Sequence, residues 1–227
     1  MIRVTAIVLA AGRGERFKSK TPKLLVEINS KPVIIHTLEA LSSHPAIKDM
    51  IVVVNPKNAK DIIEKFLKYR IKKIEYVVEG GSRRQDSLGN GLSVVGQRSD
   101  LVLIHDAARP FIDRDSISRA ISAAKKTGAA IVGVPVKATI KEVSGRIVVK
   151  KTLDRERLWE IQTPQVFIRD LIFRAFQKFG NKDVTDDAML VEKLGRKVSV
   201  VMGSYRNIKI TTPEDLVLAE AIAGKKR

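Results

Sequence analysis

The string Ala10-Ala11-Gly12-Arg13-Gly14-Glu15-Arg16, followed shortly by Pro22-Lys23, combines two properties that a polyphosphate site needs. Ala10, Ala11, Gly12 and Gly14 allow a tight turn whose backbone N–H groups face a ligand with little side chain in the way. Arg16 and Lys23 add fixed positive charge beside that turn. The string follows Val4-Thr5-Ala6-Ile7-Val8-Leu9, an uncharged, β-branched run of the kind that forms a strand buried on both faces. No Gly-Lys-Ser/Thr follows, so this is not a Walker loop, and Phe17 stands where a dinucleotide fingerprint would have its third glycine.

Other polar groups recur at the ends of apolar runs. Glu79-Gly80-Gly81-Ser82-Arg83-Arg84-Gln85-Asp86-Ser87 reads either as a helix N-terminus capped by Ser82 or as a second ligand loop whose backbone and Ser87 read a base. Leu101-Val102-Leu103-Ile104 runs into His105-Asp106-Ala107-Ala108-Arg109-Pro110. A carboxylate in a cationic crevice suits a divalent cation or a sugar hydroxyl, and the plainer alternative is that Asp106 pairs with Arg109 and orders the turn. His105 has no partner at ligand spacing and reads as structural. Thr185, followed by Asp186 and Asp187, reads as a helix N-cap. Lys209 is isolated between apolar neighbours.

These groups need a scaffold that brings strand ends together, and the apolar pattern supplies one. Strands at 4–9, 50–54 and 74–78 alternate with a helix from Pro32 through Ser43 and another carrying Ile62, Ile63, Phe66 and Leu67. That order predicts a right-handed parallel α/β layout with its ligand crevice at the carboxyl ends of the strands. Further strands are expected at 101–104, 129–134 and 198–202, with a short one at Val166-Phe167. A helix from about Asp115 to Thr127 ends at Gly128, and Thr212-Pro213-Glu214-Asp215 opens the last helix as a capping box. The stretch from Lys137 to Lys151 alternates apolar and polar residues about Ser144-Gly145, the signature of a hairpin. Its charge is wrong for a core, so a second copy of the chain is the simplest cover for its apolar face.

At 227 residues the chain fits one α/β domain, with no apolar run long enough to cross a membrane and no secretory leader. The absence of cysteine excludes disulfides, thiolate metal sites and cysteine nucleophiles, and agrees with a cytoplasmic location. A net charge of +17 favours anionic partners. A basic nucleic-acid-binding domain is the reading from another class. Against it stand the few aromatics, the lack of a known binding motif, and distinctive residues at strand ends rather than along one basic face.

The string from Ala10 to Lys23 resembles the signature of enzymes that join a sugar or polyol phosphate to a nucleotide. With Gly80-Gly81, His105 to Pro110, Thr163-Pro164-Gln165, Thr185-Asp186-Asp187 and Asn207-Ile208-Lys209-Ile210-Thr211, the set resembles the 2-C-methyl-D-erythritol 4-phosphate cytidylyltransferase family, from residue 4 to about 222. The resemblance implies a Rossmann-like, three-layer α/β/α fold with a mostly parallel sheet, forming a homodimer through a β-arm at 137–155. It implies transfer of a cytidylyl group from CTP to the methylerythritol phosphate in isoprenoid precursor synthesis. Mg²⁺ would be carried mainly on the CTP phosphates, with Asp106 an additional candidate ligand. Arg16 and Lys23 would stabilise the transition state, while Gly12, Gly81 and Ser87 help hold CTP. Asp106, Arg109, Thr163, Thr185 and Lys209 would line the substrate phosphate site, with Thr139 and Arg155 reaching in from the partner's arm. No nucleic acid or membrane partner is implied.

Two positions depart from the family pattern. Ser82 and Ala138 stand where Asp is frequent, which leaves room for a relative acting on another polyol phosphate, ribitol 5-phosphate being the runner-up. The chemistry itself asks little of a base. A phosphate monoester has a second pKa of about 6 and is largely a dianion at neutral pH, so the task is to bring two polyanions together.

Overall fold

The computed structural model describes residues 2–12, 14, 17, 21–145 and 147–224. Arg16, assigned above to transition-state stabilisation, lies outside them.

The run at residues 4–9 is strand β1 (Val4–Ala10), whose side chains divide by parity. Val4, Ala6, Val8 and Ala10 enter one core and Ile7 the other, as the two-residue period of a strand buried on both faces requires. In chain order there follow β2 (Glu27–Ile28), β3 (Lys31–Pro32), α1 (Val33–Ser42), β4 (Ile47–Val54), α2 (Ala59–Lys68), β5 (Ile74–Glu79), α3 (Arg84–Ser93), β6 (Leu101–Asp106), α4 (Arg114–Thr127) and β7 (Ala129–Pro135). Then come β8 (Lys141–Val143), β9 (Val149–Thr152), β10 (Trp159–Ile168), α5 (Arg169–Phe179), α6 (Ala188–Lys193), β11 (Ser199–Met202) and α7 (Pro213–Gly224). Among the described residues the main sheet runs β11-β7-β10-β6-β1-β4-β5. Only β10 is antiparallel to its neighbours. Side chains from α1, α2, α4 and α7 cover one face and those from α3, α5 and α6 the other, giving the expected three layers. Chain order reverses beside β1, so the crevice opens where β1, β4 and β6 end.

Four expectations change. The strand at Val166-Phe167 is the last part of the ten-residue β10, which the sequence hides behind Gln162, Thr163, Pro164 and Gln165. Those residues sit in a bulge where the register to β7 slips between Ile161 and Gln165, and the Thr163–Pro164 peptide bond is cis. The run Leu24-Leu25-Val26-Glu27-Ile28, whose composition reads as a short extended segment, instead opens with a 3₁₀ turn at Lys23–Leu25 before the short β2. Ser82 does not cap α3: Arg83 occupies the N-cap, and Asp86 accepts from its N–H at 3.0 Å and from Ser82 Oγ at 2.8 Å. Thr185 does not cap α6: Asp187 holds that position, and Asp186 accepts the Met189 N–H at 3.1 Å. In both cases a carboxylate takes the amide in place of a hydroxyl, Asp86 from inside the first turn of α3 and Asp186 from just ahead of α6, since a carboxylate is the stronger acceptor.

The hairpin forms where expected, as β8 paired antiparallel to β9. Pro135 O accepts from Tyr205 Oη at 2.7 Å, and Lys137 Nζ lies 3.6 Å from the centroid of the Tyr205 ring, which fixes the arm's root. Farther out, Val143, Ile147, Val148 and Val149 are exposed.

Candidate active site

The first loop is held by what surrounds it. Phe17, 3% exposed, plugs into the core below, its N–H donating to Gly14 O at 2.8 Å. Asn55, at the end of β4, donates from Nδ2 to Ala11 O at 3.3 Å. Gly14 has φ +67°, which favours glycine, and a Cβ there would lie 3.6 Å from Lys23 Cβ. Lys23 therefore stands beside the turn.

The second loop lies against the first. A Cβ on Gly80 would come within 2.1 Å of Ala11 Cβ, so only glycine permits this approach. Ser87 Oγ accepts from Gly81 N–H at 3.1 Å and donates to Arg83 O at 3.1 Å. Its hydroxyl is buried and braces the loop from behind, so the loop's outward polar groups are its backbone and the exposed Ser82.

Asp106 ends β6, opposite Leu9 of β1, and is the negative centre of the crevice. Its Oδ2 lies 2.6 Å from Lys209 Nζ and 3.9 Å from Arg109 Nε, and its Oδ1 lies 3.7 Å from Arg84. Burial pushes its pKa up, but Lys209, Arg84 and Arg109 together outweigh burial and bring it down to about 2. Among the described residues the plain pairing of Asp106 with Arg109 is thus the longest of three ion pairs. Arg109 is itself buried, with Nη1 donating to Asn207 O at 2.8 Å and Nε without a hydrogen-bond partner among the described residues.

Beneath Asp106 a chain of hydrogen bonds fixes proton positions. Asp106 N–H donates to Thr163 Oγ1 at 3.0 Å, and Thr163 lies 2.9 Å from His105 Nδ1. His105 Nε2 lies 3.2 Å from Arg109 O, which can only accept. The imidazole therefore carries its proton on Nε2, and Nδ1 accepts from the threonine. Burial lowers the His105 pKa to about 4, the Arg109 carbonyl and Asp106 opposing only in part. His105 is structural, as its sequence context suggested, and Thr163 spends its hydroxyl on protein partners.

This neutral histidine predicts an acid-labile fold. The unfolded chain titrates His105 near its ordinary value of 6.5 while the folded chain resists the proton until about 4. Stability from this group is complete above 6.5 and drains as pH falls toward 4, by on the order of 3 kcal/mol. Thermal melts between those pH values should show falling Tm, and His105→Asn should flatten that part of the slope. Equal slopes in both proteins would remove His105 as the cause.

Of the other expected residues, Thr185 is exposed on the segment between α5 and α6, while Thr139 and Arg155 sit exposed on the arm. Arg155 donates to Lys137 O at 3.2 Å in its own arm. Within one chain the ion pairs to Asp106 come from Arg84, Arg109 and Lys209. Sequence reasoning gave no role to Arg84, which pairs with Asp187 at 103 residues' separation, nor to Asn207. Asn207 is fully buried and donates to Gln162 Oε1 at 3.1 Å and Thr163 O at 2.9 Å, holding the Lys209 segment to β10. Only its place beside Lys209 in a quoted motif pointed to it.

A mostly parallel sheet between two helix layers, with small-residue loops and clustered cations at one end, is a Rossmann-like layout suited to a nucleotide, and the family match makes it a nucleotidyltransferase. The 2-C-methyl-D-erythritol 4-phosphate cytidylyltransferase family matches residues 4–225, and the chain belongs to that family. It is 47% identical to the enzyme of that name from Syntrophus aciditrophicus over 99% of this chain and 97% of the relative. The solved 4-diphosphocytidyl-2C-methyl-D-erythritol synthase of Anaerococcus prevotii superposes with a TM-score of 0.87 at 34% identity, covering 99% of this chain and 97% of the other. The Thermus thermophilus 2-C-methyl-D-erythritol 4-phosphate cytidylyltransferase gives 0.79 at 31% identity, with 98% of this chain and 100% of the other covered.

Proposed function

We propose that the crevice transfers the cytidylyl group of CTP to 2-C-methyl-D-erythritol 4-phosphate, giving 4-diphosphocytidyl-2-C-methyl-D-erythritol and pyrophosphate. The supporting observation is the convergence, at the carboxyl ends of β1, β5 and β6, of two touching small-residue loops and a cation cluster around Asp106. The backbone of Ala10, Ala11, Gly12 and Gly14 cradles the triphosphate, with Lys23 and Arg16 on the phosphorus that reacts. The base lies against Gly80, Gly81 and Ser82, read by backbone groups that Ser87 holds in place.

An oxygen of the acceptor's phosphate dianion attacks the α-phosphorus in line. The bond from that phosphorus to the oxygen bridging to the β-phosphorus breaks, and pyrophosphate leaves with the electron pair. No general base is needed. Lys209, now on Asp106, turns to the acceptor phosphate, Arg109 and Thr185 complete its site, and Thr163 orders Asp106 from below. Among the described residues no group of three or more acidic or histidine side chains is placed to hold a metal ion. Mg²⁺ would ride mainly on the CTP phosphates and neutralise charge on the leaving pyrophosphate, and Asp106, whose oxygens face Arg84, Arg109 and Lys209, would join it only by giving up one of those cations.

The arm at 137–155 belongs to the same domain as the rest of the chain and joins two copies into a homodimer, delivering Thr139 and Arg155 to the partner's crevice. The exposed Val143, Ile147, Val148 and Val149 support this, because a lone two-stranded hairpin with a bare apolar face is at best marginally stable. We place the enzyme in the cytoplasm with its nucleotide. Among the described residues no helix is long and apolar enough to cross a membrane.

Pyrophosphate release tests the reading across nucleotides and acceptors. CTP with methylerythritol 4-phosphate should exceed every other pair. Faster release with ribitol 5-phosphate would reassign the acceptor and give Ser82 and Ala138 their meaning. No release with any pair would overturn the reading.

A further inference from the structure

Arg84 joins the two halves of the crevice. It lies in the first turn of α3, directly after the Gly80-Gly81-Ser82 loop. Its Nη1 and Nη2 donate to the two carboxylate oxygens of Asp187 at 2.5 and 2.7 Å. Asp187 is 1% exposed and is held by its backbone: its N–H and that of Ala188 both donate to Gln165 Oε1, at 3.1 and 3.0 Å. Gln85 extends the same seam, donating to Lys182 O at 3.0 Å. The segment that carries Thr185 is thus clamped to the helix that carries the nucleotide loop.

A clamp of that kind needs one carboxylate, yet the guanidinium faces two. Arg84 also lies 3.7 Å from Asp106 Oδ1, while Lys209 takes Oδ2 at 2.6 Å. The two oxygens of Asp106 are therefore divided between cations on different elements. Positive charge at Oδ1 weakens the hold of Asp106 on Lys209, and an arriving phosphate dianion must win Lys209 from that same carboxylate.

We propose that Arg84 is a positioning residue for the acceptor phosphate, acting through Asp106 on Lys209 in addition to its bond with Asp187. The proposal rests on the functional reading above. Arg84→Gln strands Asp187 as a buried, unpaired carboxylate and should lower Tm as well as activity. The double variant Arg84→Gln/Asp187→Asn separates the roles, because two amides can replace the pair without leaving a buried charge.

The double variant should regain most of the lost Tm, with KM for CTP within about threefold of wild type. KM for the acceptor should stay at least about tenfold higher, since only the contact with Asp106 is still missing, and a loss of that size is ordinary for one charge contact. Recovery of acceptor KM together with Tm would overturn the proposal and leave Arg84 a clamp. If the double variant does not fold, Arg84→Lys decides: one ammonium cannot serve both carboxylates, so acceptor KM should rise at least about threefold, and an unchanged KM overturns the proposal. Wild-type turnover is the control. Its absence with every acceptor overturns the functional reading and this proposal with it, whereas turnover with a fully recovered double variant overturns the proposal alone.

Discussion

Lys23→Ala should lower kcat by about 10²- to 10³-fold in a protein that still folds, the usual loss when one preorganised charge donor is removed from a developing oxyanion. Folding should survive because the turn at Lys23–Leu25 is anchored by the buried Leu24, and the neighbour a Cβ on Gly14 would touch is the Lys23 Cβ, which alanine keeps. KM for either substrate should move much less than kcat, since the ammonium matters most while the phosphorus is transferred. Steady-state kinetics with a Tm measurement check this. Unchanged kcat in a folded protein would take Lys23 out of the mechanism.

The second large effect concerns the arm, and it is a gain. Lys23→Ala chains keep an intact arm, and Arg155→Ala chains keep an intact loop. If each crevice takes Arg155 from its partner, a mixed dimer contains one site with both lesions and one with neither. Co-refolding equal amounts should then restore about a quarter of wild-type activity from two nearly inactive proteins, by random pairing of a symmetric dimer. Were Arg155 to act within its own chain, every site would keep one lesion. Heterodimers present without recovery would reject sharing and leave Arg155 either a residue of its own chain's site or a purely structural one, held by its bond to Lys137 O.

The sequence carried the frame of this site further than its interior. The uncharged β-branched run at residues 4–9, the glycines at 80 and 81 and the abrupt His105-Asp106 after four apolar residues are local signals, and each marks a strand end that lies on the crevice. Strand β10 was hidden because its bulge is polar and contains proline, which reads as loop when the flanking strands β6 and β7 are not in view. Ser82 and Thr185 mislead as helix caps for a related reason. A hydroxyl near a helix start looks like a cap until the competing acceptors, Asp86 and Asp186, are seen to take the amides. Arg84 and Asp187 could not be paired from sequence at all. Neither is unusual locally, and their role arises only when α3 and α6 pack on the same face of the sheet.

The electrostatic plan is also visible only in three dimensions. The net charge of +17 announces an anionic partner but spreads it over the whole chain. What distinguishes the crevice is one carboxylate held ionised amid Lys209, Arg84 and Arg109, so that cations are already ordered before two polyanions arrive.

The central claim is direct attack of the acceptor's phosphate on the α-phosphorus of CTP, and following labelled oxygen tests it most closely. With heavy oxygen throughout the phosphate of methylerythritol 4-phosphate, phosphorus NMR and mass spectrometry of the products should find all of the label in the cytidine diphosphate diester. None should appear in pyrophosphate. Label in pyrophosphate or orthophosphate, or release of CMP in place of the diester, would contradict the account.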